Sequence, residues 1–199
     1  GTPLFSALGD RLRIIETVRH PLYLLQHWYS YIDRHGSDPR EFTVWLNHNG
    51  NHLPWFASGW EEVYIESNKM DRVIYSIDWL ARLAESTLES LQTQAQAQVV
   101  EIPFERFVVD PQPYIERICQ ALGTTTTNAI KRAMRKQNIP RKLTTAGIDL
   151  EIYRRYDWEP PAKTSNEASE MKSRWDYAGL EASEKGMETL NRMCENYDL

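Results

Sequence analysis

Cysteine is scarce: Cys119 and Cys194 are the two in 199 residues, and they form no C-x-x-C pair. That usage excludes a disulfide framework and fits reduced thiols in a cytoplasmic protein. Long apolar runs are also missing. None approaches the roughly 20 residues that cross a bilayer, so no membrane span is expected, and the N-terminus lacks the basic-then-apolar layout of a signal peptide. Positive charge is not in excess, the net charge being −5. Proteins that track nucleic-acid backbones carry a basic surface, so no nucleic-acid partner is expected, whereas a small anion needs only a local group of cations. No His–carboxylate cluster has zinc spacing, and no metal is expected. Neither a G-x-S-x-G nucleophile elbow nor a G-x-x-x-x-G-K-S/T phosphate loop occurs.

What is present is an ordinary globular composition, 41% hydrophobic and 26% charged, long enough for a single domain spanning 1–199. Leu4–Leu8 reads as a helix end, closed by Gly9-Asp10. Leu12–Val18 is a β-branched run of strand length that stops at Arg19-His20-Pro21. Proline is favoured at a first helical position, where its missing N–H costs nothing, and Leu22–Ile32 follows with apolar residues at helical spacing. Gly36–Gly59 is polar and rich in Asn, His and Trp. It is read as a short helix around Glu41–Leu46 and a long loop turning at Asn49-Gly50. Val63–Glu66 is a weak strand candidate.

Asp71–Leu91 predicts a long amphipathic helix whose inner face carries Val73, Ile77, Leu80, Leu83, Ala84, Leu88 and Leu91. The Gln/Ala stretch Gln92–Gln98 is its frayed end or a surface connection. Val99–Phe104 is the second convincing strand, stopped by Pro103. Asp110-Pro111 opens a helix with Tyr114, Ile115, Ile118, Cys119 and Leu122 on one face and Gly123 as its stop. Thr124–Thr127 caps another helix, to about Lys136. Beyond Pro140 the chain is polar and basic. Residues 160–199 read as a linker and a peripheral final helix over Gly179–Asn196, with Leu180, Met187, Leu190 and Met193 inward. Strands alternating with helices predict a helix-rich α/β fold, a parallel sheet with flanking helices. Two strands make a poor sheet, and further pairing is expected.

The sharpest candidate for chemistry is Arg19. It closes a strand directly before a helix N-terminus, where parallel sheets open on their ligand crevice and free N–H groups favour anions. A guanidinium there binds phosphate through two donors; the alternative is an ion pair with a nearby carboxylate. The second candidate segment is Ile102-Pro103-Phe104-Glu105-Arg106-Phe107-Val108-Val109-Asp110-Pro111, followed by Glu116-Arg117-Ile118-Cys119-Gln120-Ala121-Leu122-Gly123.

Together Thr17-Val18-Arg19-His20-Pro21 and this second segment resemble the sulfotransferases that use 3′-phosphoadenosine 5′-phosphosulfate. In that family a strand ending V-R-D/N-P begins the helix that holds the cofactor's 3′-phosphate. A later strand ends in Y-E-D-L, then D-P, then a helix like R-I-C-x-x-L-G. The resemblance is strongest over residues 4–145. It implies a P-loop NTPase-like α/β fold and cofactor contacts at five positions. Arg19 matches the 3′-phosphate arginine. His27, eight positions on, stands where the family has a phosphate-binding Ser, and is either a ligand contact or structural. Phe104 replaces the Tyr beside the adenine, with core packing as its other role. Arg141 and Lys142 stand near the family's C-terminal Arg-Lys-Gly cluster, with Gly147 displaced; Arg135-Lys136 competes for that assignment, and a solvated basic loop is the plainer reading.

The family's first strand and glycine-rich loop precede its arginine by several dozen residues, and eighteen residues stand there in this chain. The domain is therefore expected to be N-terminally incomplete, with the acid/base residue upstream and no catalytic residue assignable. The implied activity is sulfuryl transfer to a hydroxyl or amine of a small-molecule or carbohydrate acceptor. The alternatives are a non-catalytic sulfotransferase-like binding or interaction domain, and a P-loop kinase relative. Trp45, Trp55, Phe56 and Trp60 are either an acceptor-pocket floor or core. The run Asn47-His48-Asn49-Gly50-Asn51-His52 is read as a surface loop, with an acceptor-site lid as the other possibility.

Overall fold

In the computed structural model, which describes residues 7–36, 43–90, 98–146 and 166–197, helix predominates. In chain order the elements are β1 (Ile14–Val18), α1 (Pro21–Arg34), β2 (Trp45–His48), β3 (Asn51–Pro54), α2 (Glu61–Glu66), α3 (Lys69–Glu89), β4 (Val99–Pro103), α4 (Phe104–Val109), α5 (Gln112–Leu122), α6 (Asn128–Lys136), α7 (Glu167–Gly179) and α8 (Glu184–Tyr197). The described residues fall into two compact units. Residues 7–20, 83–90, 98–146 and 166–167 form the first, and residues 21–36, 43–82 and 168–197 the second. Among the described residues no helix is long and apolar enough to cross a membrane.

The first unit contains the parallel pair. β1 and β4 run side by side from Ile14 opposite Val99 to Val18 opposite Pro103. The Ile14 N–H reaches back to the Gln98 carbonyl at 3.0 Å. β1 starts two residues later than Leu12, because the Leu12 N–H closes a 3₁₀ turn onto Gly9. On β4 the period-two alternation buries Val100 and Ile102 while Glu101 faces outward. The two-stranded sheet makes the α/β class, and among the described residues β1 pairs on one side only. Pro103 ends β4 and α4 begins at once. α5 stops at Gly123, whose φ of 62° is the left-handed cap that spares a Cβ clash. The Thr127 hydroxyl accepts from the Ile130 N–H and so caps α6.

The second unit is built on α1, most of α3, α7 and α8. Leu22, Leu25, Met70, Val73, Ile74, Ala178, Leu190 and Met193 form its larger core cluster. A smaller one gathers around Phe56 with Leu53, Ala57 and Tyr64.

Five expectations are corrected. Of the short helix expected around Glu41–Leu46, Glu41 and Phe42 lie outside the described residues, and the rest is not helical: Trp45–His48 and Asn51–Pro54 pair as an antiparallel hairpin. Asn49 and Gly50 both hold positive φ, 51° and 81°, the conformation that two-residue hairpin turns demand and Asn-Gly supplies. Val63–Glu66 is helix, not strand, since a four-residue apolar run carries too little period to separate the two. Residues 167–179, expected as linker, form α7, which packs Met171, Trp175 and Ala178 against the larger core. Leu180 is 83% exposed rather than inward, because it falls in the turn before α8 starts at Glu184. On α3, Val73 and Ile77 are buried as expected but Leu83 is 42% exposed. Leu4, the Gln/Ala run at residues 92–97, Gly147 and residues 151–165 lie outside the described residues.

Truncating a fully buried aliphatic chain removes its transfer energy and leaves a cavity. Ile74→Ala should therefore lower unfolding free energy by about 2–5 kcal/mol, against less than about 0.5 kcal/mol for Leu180→Ala. Urea denaturation of the two variants measures the contrast, and equal losses would contradict the assigned core.

Candidate anion site at the ends of the parallel strands

The parallel register fixes the site. Val18 and Pro103 are the last paired residues, so Arg19 and Phe104 leave the sheet at the same edge. The Arg19 guanidinium carbon lies 4.3 Å from the centre of the Phe104 ring. That of Arg141 lies 5.7 Å from the same ring. One half-buried aromatic thus has two guanidinium groups within cation–π range.

Glu105, the next residue, organises the cluster. Its Oε1 accepts from Arg19 Nε at 2.7 Å and its Oε2 from the His20 N–H at 2.9 Å. The Glu105 side chain is 7% exposed and that of Arg19 36%. The ion-pair alternative for Arg19 is therefore the one observed. Its Nε edge is paired to a carboxylate, while among the described residues its two terminal amino groups meet no protein acceptor. A solvent-reachable edge with two donors matches an oxyanion. Arg141 is held by main-chain bonds: its N–H donates to the Val108 carbonyl at 2.7 Å, and its Nη1 to the Thr144 carbonyl at 2.8 Å. Thr144, itself buried, donates to Glu167 Oε1 at 2.9 Å.

Arg19, Phe104 and Arg141 are thus brought together. Lys142 is exposed beside Arg141, and Arg135 and Lys136 are exposed in the last turn of α6. His27 belongs to the second unit, where it is exposed on α1 with its ring parallel to that of Tyr31 at 6.5 Å. Glu105 carried no assigned role in the sequence, although it directly follows Phe104 in the segment that carries the resemblance. Its position directly after Phe104 was the only mark the sequence offered; its contact with Arg19 follows from the register.

The histidine-rich run is the hairpin turn. His48 Nε2 lies 2.7 Å from Glu62 Oε1, and His52, opposite Asn47, is on the other face. Trp45 and Trp55 are 45% and 38% exposed, whereas Phe56 is core. Among the described residues no group of three or more His, Cys, Asp or Glu could hold a metal.

The sheet beneath the site carries like charges, with Glu16 directly opposite Glu101. Burial first, and then the Glu101 charge, push the Glu16 carboxyl above its usual 4.5. A carboxyl with a raised folded-state pKa holds its proton more tightly when folded. Its stabilising contribution is full below about pH 4.5 and is lost as pH rises through the folded value. Glu16→Gln should therefore raise the melting temperature at pH 7, with the gain shrinking as pH falls toward 4. Thermal unfolding of both proteins across that range checks this, and a gain independent of pH would contradict it.

The chain matches no protein-family model, no curated protein and no solved structure.

Proposed function

We propose that this chain is the 3′-phosphate-binding part of a P-loop NTPase-like sulfotransferase that uses 3′-phosphoadenosine 5′-phosphosulfate. The observation that carries the proposal is the convergence of Arg19 and Phe104, 4.3 Å apart, at one end of a parallel strand pair. The resemblance assigns these two residues to one nucleotide, and they come from segments 86 positions apart at the Arg19–Glu105 contact. The donor chemistry fits a phosphate monoester: a two-donor edge on Arg19 and a second guanidinium on Arg141, both against the Phe104 ring.

The cofactor supplies the sulfuryl group, which passes in line to a hydroxyl or amine of a small-molecule or carbohydrate acceptor. The chain's own residues bind and orient. Arg19 would contact a phosphate whose charge does not change during transfer, so its binding energy is uniform between ground and transition states. It contributes affinity and register. Lys142 is a further proposed cofactor contact on the resemblance alone.

Charge-assisted hydrogen bonds of this kind contribute about 1.5–3 kcal/mol each. Adenosine 3′,5′-bisphosphate should therefore bind roughly tenfold or more tightly than 5′-AMP, and Arg19→Ala should erase the preference. Titration calorimetry with both nucleotides decides. Equal affinities in the unaltered protein would reject the 3′-phosphate assignment.

A further inference from the structure

The geometry points to Glu105 as the positioning residue of the anion site, a role that rests on the nucleotide reading but is separable from it. A free arginine side chain samples many rotamers, and ordering it costs about 1.5–2 kcal/mol of conformational free energy. Here that cost is met before any ligand arrives. Glu105 takes the Nε edge at 2.7 Å, and the Phe104 ring takes the guanidinium face at 4.3 Å. What is left is the edge bearing the two terminal amino groups. A ligand thus meets a fork already aimed, and Arg19 is selective for an acceptor that uses both donors, a phosphate monoester above a single carbonyl or hydroxyl.

The second oxygen of Glu105 makes the carboxylate hard to replace. Oε2 accepts from the His20 N–H, so both oxygens act as acceptors toward donors on consecutive residues. A glutamine has one acceptor oxygen and an NH₂ that only donates. It can satisfy Arg19 or the His20 amide, not both. Electrostatics alone predicts the opposite outcome. Removing a negative charge beside a cation that binds anions raises the local potential, and affinity for phosphate should then increase. Positioning predicts a loss. The sign of the change separates the two.

The experiment has two arms. In the protein alone, the ¹⁵N-labelled Arg19 Nε–H should give a resolved NMR signal protected from solvent exchange, and Glu105→Gln should weaken that protection. Titration with inorganic phosphate, adenosine 3′,5′-bisphosphate and 5′-AMP then follows for the unaltered chain, Glu105→Gln, Arg19→Ala and the double variant. The expected result is a loss of phosphate affinity in Glu105→Gln of about tenfold, the range of one charge-assisted bond. No further loss is expected when Glu105→Gln is added to Arg19→Ala, because Glu105 acts through Arg19. Should Glu105→Gln fold too poorly to titrate, Glu105→Asp keeps the charge and both acceptors but draws the carboxylate back by one methylene, and should likewise lose phosphate affinity by misplacing Arg19. Tighter phosphate binding in Glu105→Gln, full affinity in Glu105→Asp, or no phosphate binding by the unaltered chain would each overturn the inference. Glu105-dependent phosphate binding without preference for adenosine 3′,5′-bisphosphate over 5′-AMP would uphold it and reject the sulfotransferase reading instead.

Discussion

Parallel strands deliver their C-terminal ends to the same edge of a sheet and cannot be joined by a tight turn. That constraint governs the first unit. Because Val18 lies opposite Pro103, the residues after each strand are neighbours in space although a long crossover separates them in sequence. Pro103 has no N–H to extend the ladder, so α4 begins immediately and Glu105 falls in its first turn. The α4 carbonyl of Val108 in turn receives the Arg141 amide, which brings the second guanidinium to the ring. A slip of one residue in the β1–β4 register would separate Arg19 from both Phe104 and Glu105.

The energetics of the cluster favour placement over stability. A nearly buried carboxylate loses much hydration, and an ion pair seldom repays that loss by itself. Removing one partner is nevertheless costly, since the other charge is left buried without compensation. Glu105, 7% exposed and bonded through both oxygens, is such a partner. The sheet carries a second cost at Glu16, raised by burial and by Glu101 across the pair.

Signals confined to a few consecutive residues were legible in the sequence. Pro21 opening α1, Gly123 closing α5 and Thr127 capping α6 each follow from one residue's backbone preference, and the structure places them there. The parallel pairing of β1 with β4, with Arg19 and Phe104 at one end, was expected from the resemblance, which gives both segments to one cofactor; the same expectation made β1 a central strand, whereas among the described residues it pairs on one side only. The hairpin was not. Its strands are four residues each and carry Asn47, His48, Asn51 and His52, so polarity concealed the alternation although the Asn-Gly turn itself was visible. α7 was hidden by its Ser, Lys and Glu content, since its apolar contacts come from Met171, Trp175 and Ala178, spaced along one face. Glu105 became readable as a site residue only with the register in hand.

On the proposed reading, the terminal amino groups of Arg19 hold the 3′-phosphate of an adenine nucleotide. A crystal structure of the chain grown with adenosine 3′,5′-bisphosphate is the most direct test. The 3′-phosphate oxygens should lie at about 2.7–2.9 Å from both terminal amino groups of Arg19, with the Nε–Glu105 contact kept. A nucleotide bound elsewhere, or one whose 3′-phosphate faces solvent while Arg19 stays unengaged, would contradict it.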